Sequence, residues 1–191
     1  MRYTIPMART APRKAEPEIA EAALARPLLI DALEYVQEKD DALDLGAGAL
    51  NDTKYLLSLG FKRVTAVDMD PASAEKASEI SLGGFTFVQS AYADFKFPKA
   101  RYDVVNAQYA LPFNPPGTFN EVLRKVIASL KPNGVFVGQF FGKRDSMNVK
   151  DSGKTFHTID EAKKLLSDLH LKDFREEEEG GRHVFHFIAI K

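Results

Sequence analysis

Asp44, Gly46, Ala47 and Gly48 fall within Asp-Ala-Leu-Asp-Leu-Gly-Ala-Gly-Ala-Leu-Asn-Asp, residues 41 to 52, and a second acid, Asp68, follows about 20 positions beyond the glycines. Gly46 and Gly48 carry no Cβ and reach backbone angles closed to other residues, so a ligand can lie directly against the main chain there. The amides of the turn and of the helix start behind it would face that ligand. Gly-x-Gly alone also closes helices and tight bends for purely structural reasons. Asp68 shifts the reading, because a carboxylate at this spacing can accept from both hydroxyls of a ribose. Glycine turn and acid together point to a nucleoside site. A dinucleotide turn asks for a third glycine three residues after Gly48, where Asn51 stands instead, and this disfavours NAD.

The elements that must position these residues are legible as alternating strands and helices. Ala42 to Leu45 is a short apolar strand, the turn follows, and a helix capped by Asn51 or Asp52 runs to Leu59 and closes at Gly60. Arg63 to Val67 forms the second strand and delivers Asp68. Asp70-Pro71 opens the next helix, with Asp70 as cap and Pro71 in its first turn. Strands are expected at 85 to 89, 102 to 108 and 135 to 141. Thr118-x-x-Glu121 and Thr158-x-x-Glu161 read as capping boxes, opening helices to Leu130 and Leu169, with Lys131-Pro132-Asn133-Gly134 ending the first. Leu171 to Glu178 and Arg182 to Ile190 read as a hairpin joined at Gly180-Gly181. At the N-terminus, residues 1 to 15 form an irregular arm suited to a lid, and Glu16 to Gln37 gives two short helices divided at Pro27. Such alternation argues a mostly parallel sheet covered on both faces, with ligands beyond the carboxyl ends of its strands. That places Gly46, Asp68, Ser90 and Asn106 around one crevice.

Leu-Asp-Leu-Gly-Ala-Gly, residues 43 to 48, resembles the first motif of the class I S-adenosylmethionine-dependent methyltransferases, and Val-Thr-Ala-Val-Asp-Met-Asp-Pro, residues 64 to 71, looks like their second. Leu50 stands where many members have a further glycine. The resemblance implies a Rossmann-like α/β sandwich, seven strands in the order 3-2-1-4-5-7-6 with helices on both faces, and S-adenosyl-L-methionine as cofactor. It further implies that Asp68 binds ribose, that Met69 packs on adenine, that Ser90, Ala91 and Tyr92 border the adenine edge, and that Asn106 lies between the methionine moiety and the acceptor. Ala-Leu-Pro-Phe at 110 to 113, Gly-Gln-Phe-Phe-Gly-Lys-Arg-Asp at 138 to 145 and Thr-Phe-His-Thr at 155 to 158 resemble segments of the small tellurite-resistance-type (TehB-like) branch. Asn114-Pro115-Pro116-Gly117 lacks the aromatic fourth residue of the Asn-Pro-Pro-Tyr motif of nucleic-acid amino methyltransferases, and prolines before a helix account for it.

Composition bounds the remaining possibilities. With 191 residues and 45% apolar content, one domain with one core is expected over the whole chain. There is no cysteine, hence no disulfide framework and no thiolate chemistry, and the cytoplasm is the default location. No stretch approaches a membrane span or the apolar run of a signal peptide. Lys plus Arg at 26 against Asp plus Glu at 27 leaves no bulk field for phosphate backbones, so no nucleic-acid partner is expected. His183 and His186 sit three apart on a strand and point to opposite faces, which argues against a shared metal.

The expected reaction is in-line transfer of a methyl group to a small-molecule acceptor, with positioning and exclusion of water as the protein's main contribution. Phe113, Phe140, Phe141 and Tyr109 are placed to wall the acceptor pocket. Arg144 is the candidate to attract an anionic acceptor and His157 the candidate base, set against the plainer readings of a surface arginine and a helix-flanking histidine. Nucleic-acid or protein methylation, and a non-catalytic S-adenosylmethionine-binding module, are the alternatives. Nothing in the sequence fixes the oligomeric state.

Overall fold

The computed structural model describes residues 25–191. The arm at residues 1 to 15 and the first of the two N-terminal helices lie outside the described residues. The second helix is α1, Pro27–Leu33, with Pro27 in the first turn, where its missing N–H leaves no intrahelical bond unmade.

Among the described residues eight strands form a single sheet: β1 Asp41–Leu45, β2 Arg63–Asp68, β3 Phe85–Gln89, β4 Tyr102–Ala107, β5 Leu130–Gly142, β6 Phe156–His157, β7 His170–Glu179 and β8 Arg182–Ile190. Their order is β3-β2-β1-β4-β5-β8-β7, with the two-residue β6 paired beside β5. Without β6 this is the expected 3-2-1-4-5-7-6 arrangement. The first five strands of that row are parallel, whereas β8 runs antiparallel to both β5 and β7. Strands β1 and β4 are buried along their whole length, as strands covered by helices on both faces must be.

Side-chain alternation divides the core into two layers. Leu43, Leu45, Val105, Ala107, Phe136 and Phe140 face α4 (Pro116–Ser129) and α5 (Ile159–Leu165), meeting Phe119, Val122, Val126 and Ala162. Ala42, Val104, Val137 and Ile188 face the other way, onto α1 and α2 (Asn51–Ser58). The strand period therefore turns Asp44, Asn106, Gln139 and His186 to the α1 side of the sheet. Helix α3, Pro71–Ser78, begins as expected, with the Asp70 side chain accepting from the Ala72 amide.

Three local expectations are corrected. Neither Asn51 nor Asp52 caps α2: the cap residue is Leu50 in the left-handed region (φ 64°), fully buried, and the Asp52 side chain is engaged elsewhere. Thr118 caps nothing, because Pro115-Pro116 start α4 two residues earlier and the Thr118 hydroxyl instead donates to the Pro115 carbonyl at 3.2 Å. Residues 131 to 134 are not a separate turn; they enter β5, where Asn133 takes φ 63° and Gly134 leaves no room for a Cβ, which would sit 2.9 Å from the carbonyls of Lys131 and Tyr102. The second capping box forms in full. Thr158 Oγ1 accepts from the Glu161 amide and Glu161 Oε2 from the Thr158 amide, though α5 stops at Leu165, short of Leu169.

Candidate functional site

The glycine turn between β1 and α2 is pinned to β2 by its own amides: Gly46 N and Ala47 N both donate to the Val67 carbonyl, at 2.8 and 3.2 Å. Its two glycines serve different ends. At Gly46 (φ 79°) a Cβ would lie 2.7 Å from Ala110 Cβ and 2.8 Å from the Tyr92 hydroxyl, so the protein itself occupies that space. At Gly48 (φ 51°) a Cβ would meet nothing nearer than the Gly46 carbonyl at 4.0 Å. The open side of the turn is thus the Gly48 side.

Asp68, at the carboxyl end of β2, reaches across to this turn. Its Oδ2 accepts from Gly48 N at 2.8 Å and its Oδ1 from Asp70 N at 2.9 Å. Each oxygen keeps a lone pair for a further donor, which suits the paired hydroxyls of a ribose. Met69 is 65% exposed beside it, an apolar side chain in water that offers a platform to a flat ring. Ser90 N donates to the Asp68 carbonyl, bringing Ser90, Ala91 and Tyr92 to the same rim. Burial raises the Tyr92 hydroxyl above its ordinary range, reinforced by the charges of Asp68 and Asp44, so the phenol stays neutral. Open main chain at Gly48, a carboxylate with free lone pairs and an exposed thioether together fit a nucleoside.

Asp44 is buried one strand position below the turn. Its Oδ2 accepts from the Thr53 hydroxyl at 2.5 Å and its Oδ1 from Asn106 Nδ2 at 2.8 Å. The same Asn106 Nδ2 is 2.8 Å from Asp52 Oδ2, and Asp52 also takes Arg26 N at 2.9 Å and Arg26 Nη1 at 2.6 Å. Desolvation, then the nearby Asp52 charge, raise the Asp44 pKa to about 6. From Asn106 a chain of amides continues across the sheet: Gln108 Nε2 donates to Asn106 Oδ1 at 3.0 Å, and Gln139 Nε2 to Gln108 Oε1 at 3.1 Å. Gln139 Oε1 accepts from Tyr109 N at 2.8 Å, and its amide nitrogen lies 3.4 Å from His186 Nδ1. His186 Nε2 in turn meets Glu177 Oε2 at 3.0 Å. A polar row therefore crosses β1, β4, β5, β8 and β7 on the α1 side, and a cavity of about 420 Å³ lies over its far half.

Sequence reasoning named Asp44 and Asn106 but missed Asp52, Gln108, Gln139 and His186 as members of one network. The available signal was a single amide or imidazole interrupting otherwise apolar strands, as Gln139 does in Val-Phe-Val-Gly-Gln-Phe-Phe and His186 in Val-Phe-His-Phe-Ile. The other named residues lie elsewhere. His157, at the end of β6, is buried against Phe119 and Phe140, with ring centroids 4.9 and 5.7 Å apart; its Nε2 has no partner, and burial lowers its pKa. Arg144 is on the surface with its fork filled by Glu176 and Glu178, at 2.8 to 2.9 Å. Of the expected aromatic wall, Phe140 and Phe141 are core residues, whereas Tyr109 and Phe113 reach solvent. Among the described residues no three of His, Asp and Glu converge as metal ligands, and no helix is long and apolar enough to cross a membrane.

Residues 42–134 match the family model described as a methyltransferase domain. The chain is 31% identical over 131 residues to alpha N-terminal protein methyltransferase 1 of Dictyostelium discoideum, an alignment covering 65% of this chain and 48% of that protein, so the chain spans about half the length of this curated relative. Among solved structures it resembles 1,6-didemethyltoxoflavin-N1-methyltransferase of Burkholderia thailandensis, in a complex with 1,6-didemethyltoxoflavin and S-adenosylhomocysteine. That match has a TM-score of 0.69 at 24% identity and covers 95% of this chain and 92% of the other. An S-adenosylmethionine-dependent methyltransferase of Methanosarcina mazei gives a TM-score of 0.65 at 22% identity, covering 87% and 98%. The glycine turn, Asp68 and Asn106 all fall inside the matched segment. The chain has the fold of the class I methyltransferases, and its residues 42–134 are similar to a methyltransferase domain.

Proposed function

We propose that this chain transfers the methyl group of S-adenosylmethionine to a small-molecule acceptor. The observation that carries the reading is Asp68, fixed by Gly48 N and Asp70 N with lone pairs to spare, between the open face of Gly48 and the exposed Met69. Asp68 would accept from the ribose hydroxyls and Met69 would pack against the adenine, with Ser90, Ala91 and Tyr92 along its edge. Asp44 and Asn106 hold the floor of the crevice on the side where β4 ends. When bound, the cofactor supplies a methyl group on a sulfonium, already a good leaving group. The residues of the chain need then only orient the acceptor in line and keep water out, without an obligatory base.

The cavity on the α1 side supports a small acceptor: about 420 Å³ suits a molecule of modest size. A second reading, transfer to a protein, is favoured by the relative from Dictyostelium, whose name describes methylation of a protein N-terminus. Titration calorimetry with S-adenosylhomocysteine and with NAD tests the cofactor. Binding of the first and not the second is expected; binding of NAD alone would overturn the proposal. Product detection with small acceptors and with an intact peptide then separates the two acceptor readings.

A further inference from the structure

We infer that the acceptor is an amine, bound as its ammonium where Tyr109, Glu177 and His186 meet beside the glycine turn. The inference rests on the methyl-transfer reading above and names its substrate class. Two adjoining cavities, of about 400 and 420 Å³, share these three residues in their walls. Tyr109 adopts a left-handed backbone (φ 53°), held by the hydrogen bond that its amide donates to Gln139 Oε1, and the residue is 42% exposed. The next residue, Ala110, is the one that abuts Gly46. The ring thus stands one residue from the turn that would hold the cofactor.

The charges around the cavities are unequal. Each arginine there already has a carboxylate: Arg26 pairs with Asp52 at 2.6 Å, Arg175 with Asp173 at 2.7 Å, and Arg182 with Asp145 at 2.9 Å. The carboxylates of β7 divide by face. Glu176 and Glu178 point away and share Arg144. Glu177 and Glu179 point into the cavities, and among the described residues neither meets an arginine or lysine. Glu177 has only His186, whose protonation is opposed by burial and whose tautomer is set by Gln139. With Gln139 Oε1 taken by Tyr109 N, its Nε2 faces His186 Nδ1, leaving the Nε2 proton for Glu177. The result is a carboxylate without a cationic partner among the described residues, beside a Tyr109 ring that already has the Arg26 guanidinium 6.0 Å from its centroid; the ring accepts cations, and Glu177 favours a cation and repels an anion. An oxyanion would meet Glu177 and Glu179, whereas the described arginines of the walls are each paired with another acid and the one unpartnered guanidinium nitrogen, Arg182 Nη2, is buried.

The chemistry closes without a further reactant. One ammonium proton leaves to solvent at the exposed Glu177 carboxylate, and the nitrogen lone pair then forms the N–C bond to the methyl group. The C–S bond breaks with its electron pair on sulfur, giving the thioether. A site that concentrates the ammonium near the cofactor raises acceptor occupancy; it need not supply the base.

The test is methyl transfer by the full chain to tyramine, spermidine and a short peptide with a free α-amino group, set against the N-acetylated peptide, selenite and a small thiol. The wild type should methylate at least one of the three amines, and tyramine or spermidine against the peptide tells a small amine from a chain terminus. Glu177→Gln should raise KM for that amine by about tenfold, the loss expected for one charged hydrogen bond, and Tyr109→Ala by roughly two- to fivefold, the loss expected for a part-exposed cation–π contact, with kcat little changed in both. Affinity for S-adenosylhomocysteine should stay the same in both variants, which also shows that they fold. Methylation of none of the amines, or amine KM unmoved in Glu177→Gln, overturns the inference. Either result leaves the cofactor proposal standing, which falls only if S-adenosylhomocysteine fails to bind the wild type.

Discussion

Asn106 and Asp44 sit opposite one another on neighbouring parallel strands, and the Asn106 amide is the donor that lets the Asp44 carboxylate be buried. That one nitrogen also serves Asp52, so two acids depend on it. Asn106→Leu should therefore cost on the order of 1–3 kcal/mol in a denaturant titration, because it takes a donor from two buried carboxylates at once, leaving Asp44 with Thr53 and Asp52 with Arg26. A loss below about 0.5 kcal/mol would mean that water replaces the amide.

The same pair sets a pH dependence. Asp44 has its pKa raised from 3.8 to about 6, so the folded protein keeps a proton that the unfolded chain gives up. The stability this contributes is fully present below the unfolded value and is lost as pH rises through about 6. Asp44→Asn keeps an acceptor for Asn106 and cannot ionise. The difference between wild type and Asp44→Asn, followed by chemical denaturation from pH 4 to 7, should grow with pH over that window. Parallel profiles would show that Asp44 is ionised throughout.

Asp68→Ala should weaken S-adenosylhomocysteine binding by about 1.5–3 kcal/mol, the range for hydrogen bonds to a charged group. The Gly48 and Asp70 amides that Asp68 now satisfies are close to solvent, so the unfolding midpoint should move much less. Calorimetry and a melting curve on the same sample check both halves. Unchanged affinity would remove Asp68 from the cofactor site.

Gly46 and Gly48 look alike in the sequence and part company in the structure. Alanine at Gly48 meets left-handed strain of about 1–2 kcal/mol but no protein atom nearer than 4.0 Å, so the chain should fold and lose cofactor affinity. Alanine at Gly46 adds a collision with Ala110 to the same strain and should destabilise the fold itself. Melting temperature against calorimetric affinity separates the two. Normal affinity in Gly48→Ala would mean that the open face of the turn is not where the cofactor lies.

These contrasts mark what local pattern can and cannot carry. The Gly-x-Gly turn, the Thr158–Glu161 box and the Gly-Gly hairpin are written in residues a few positions apart, and each forms in the structure. Where two local signals competed, at Thr118 and Pro116, proline prevailed because its fixed φ starts the helix regardless of the hydroxyl downstream. The amide row from Asn106 to His186 depends on inter-strand register, the pairing of Asp44 with Asn106 and of Gln139 with His186, and register is a long-range property. Arg144 shows the same limit, since its partners lie more than thirty positions away on β7.

His157 gives the last test. Its ring is packed between Phe119 and Phe140, its Nε2 is buried without a partner, and desolvation lowers its pKa from 6.5, so it is neutral near pH 7. Phenylalanine in its place keeps the aromatic packing and removes an unpaired polar atom. His157→Phe should therefore be as stable as the wild type at neutral pH, or more so by up to about 1 kcal/mol. Because the folded pKa lies below the unfolded value, the wild-type histidine loses stability as pH falls below 6.5. The advantage of His157→Phe should widen in acid. Methyl transfer, measured under single turnover, should fall far less than the roughly 10²- to 10⁴-fold that loss of a general base produces. A collapse of transfer in a variant that melts like the wild type would make His157 the base after all, and would place the acceptor on the α4 side of the sheet rather than beside Tyr109.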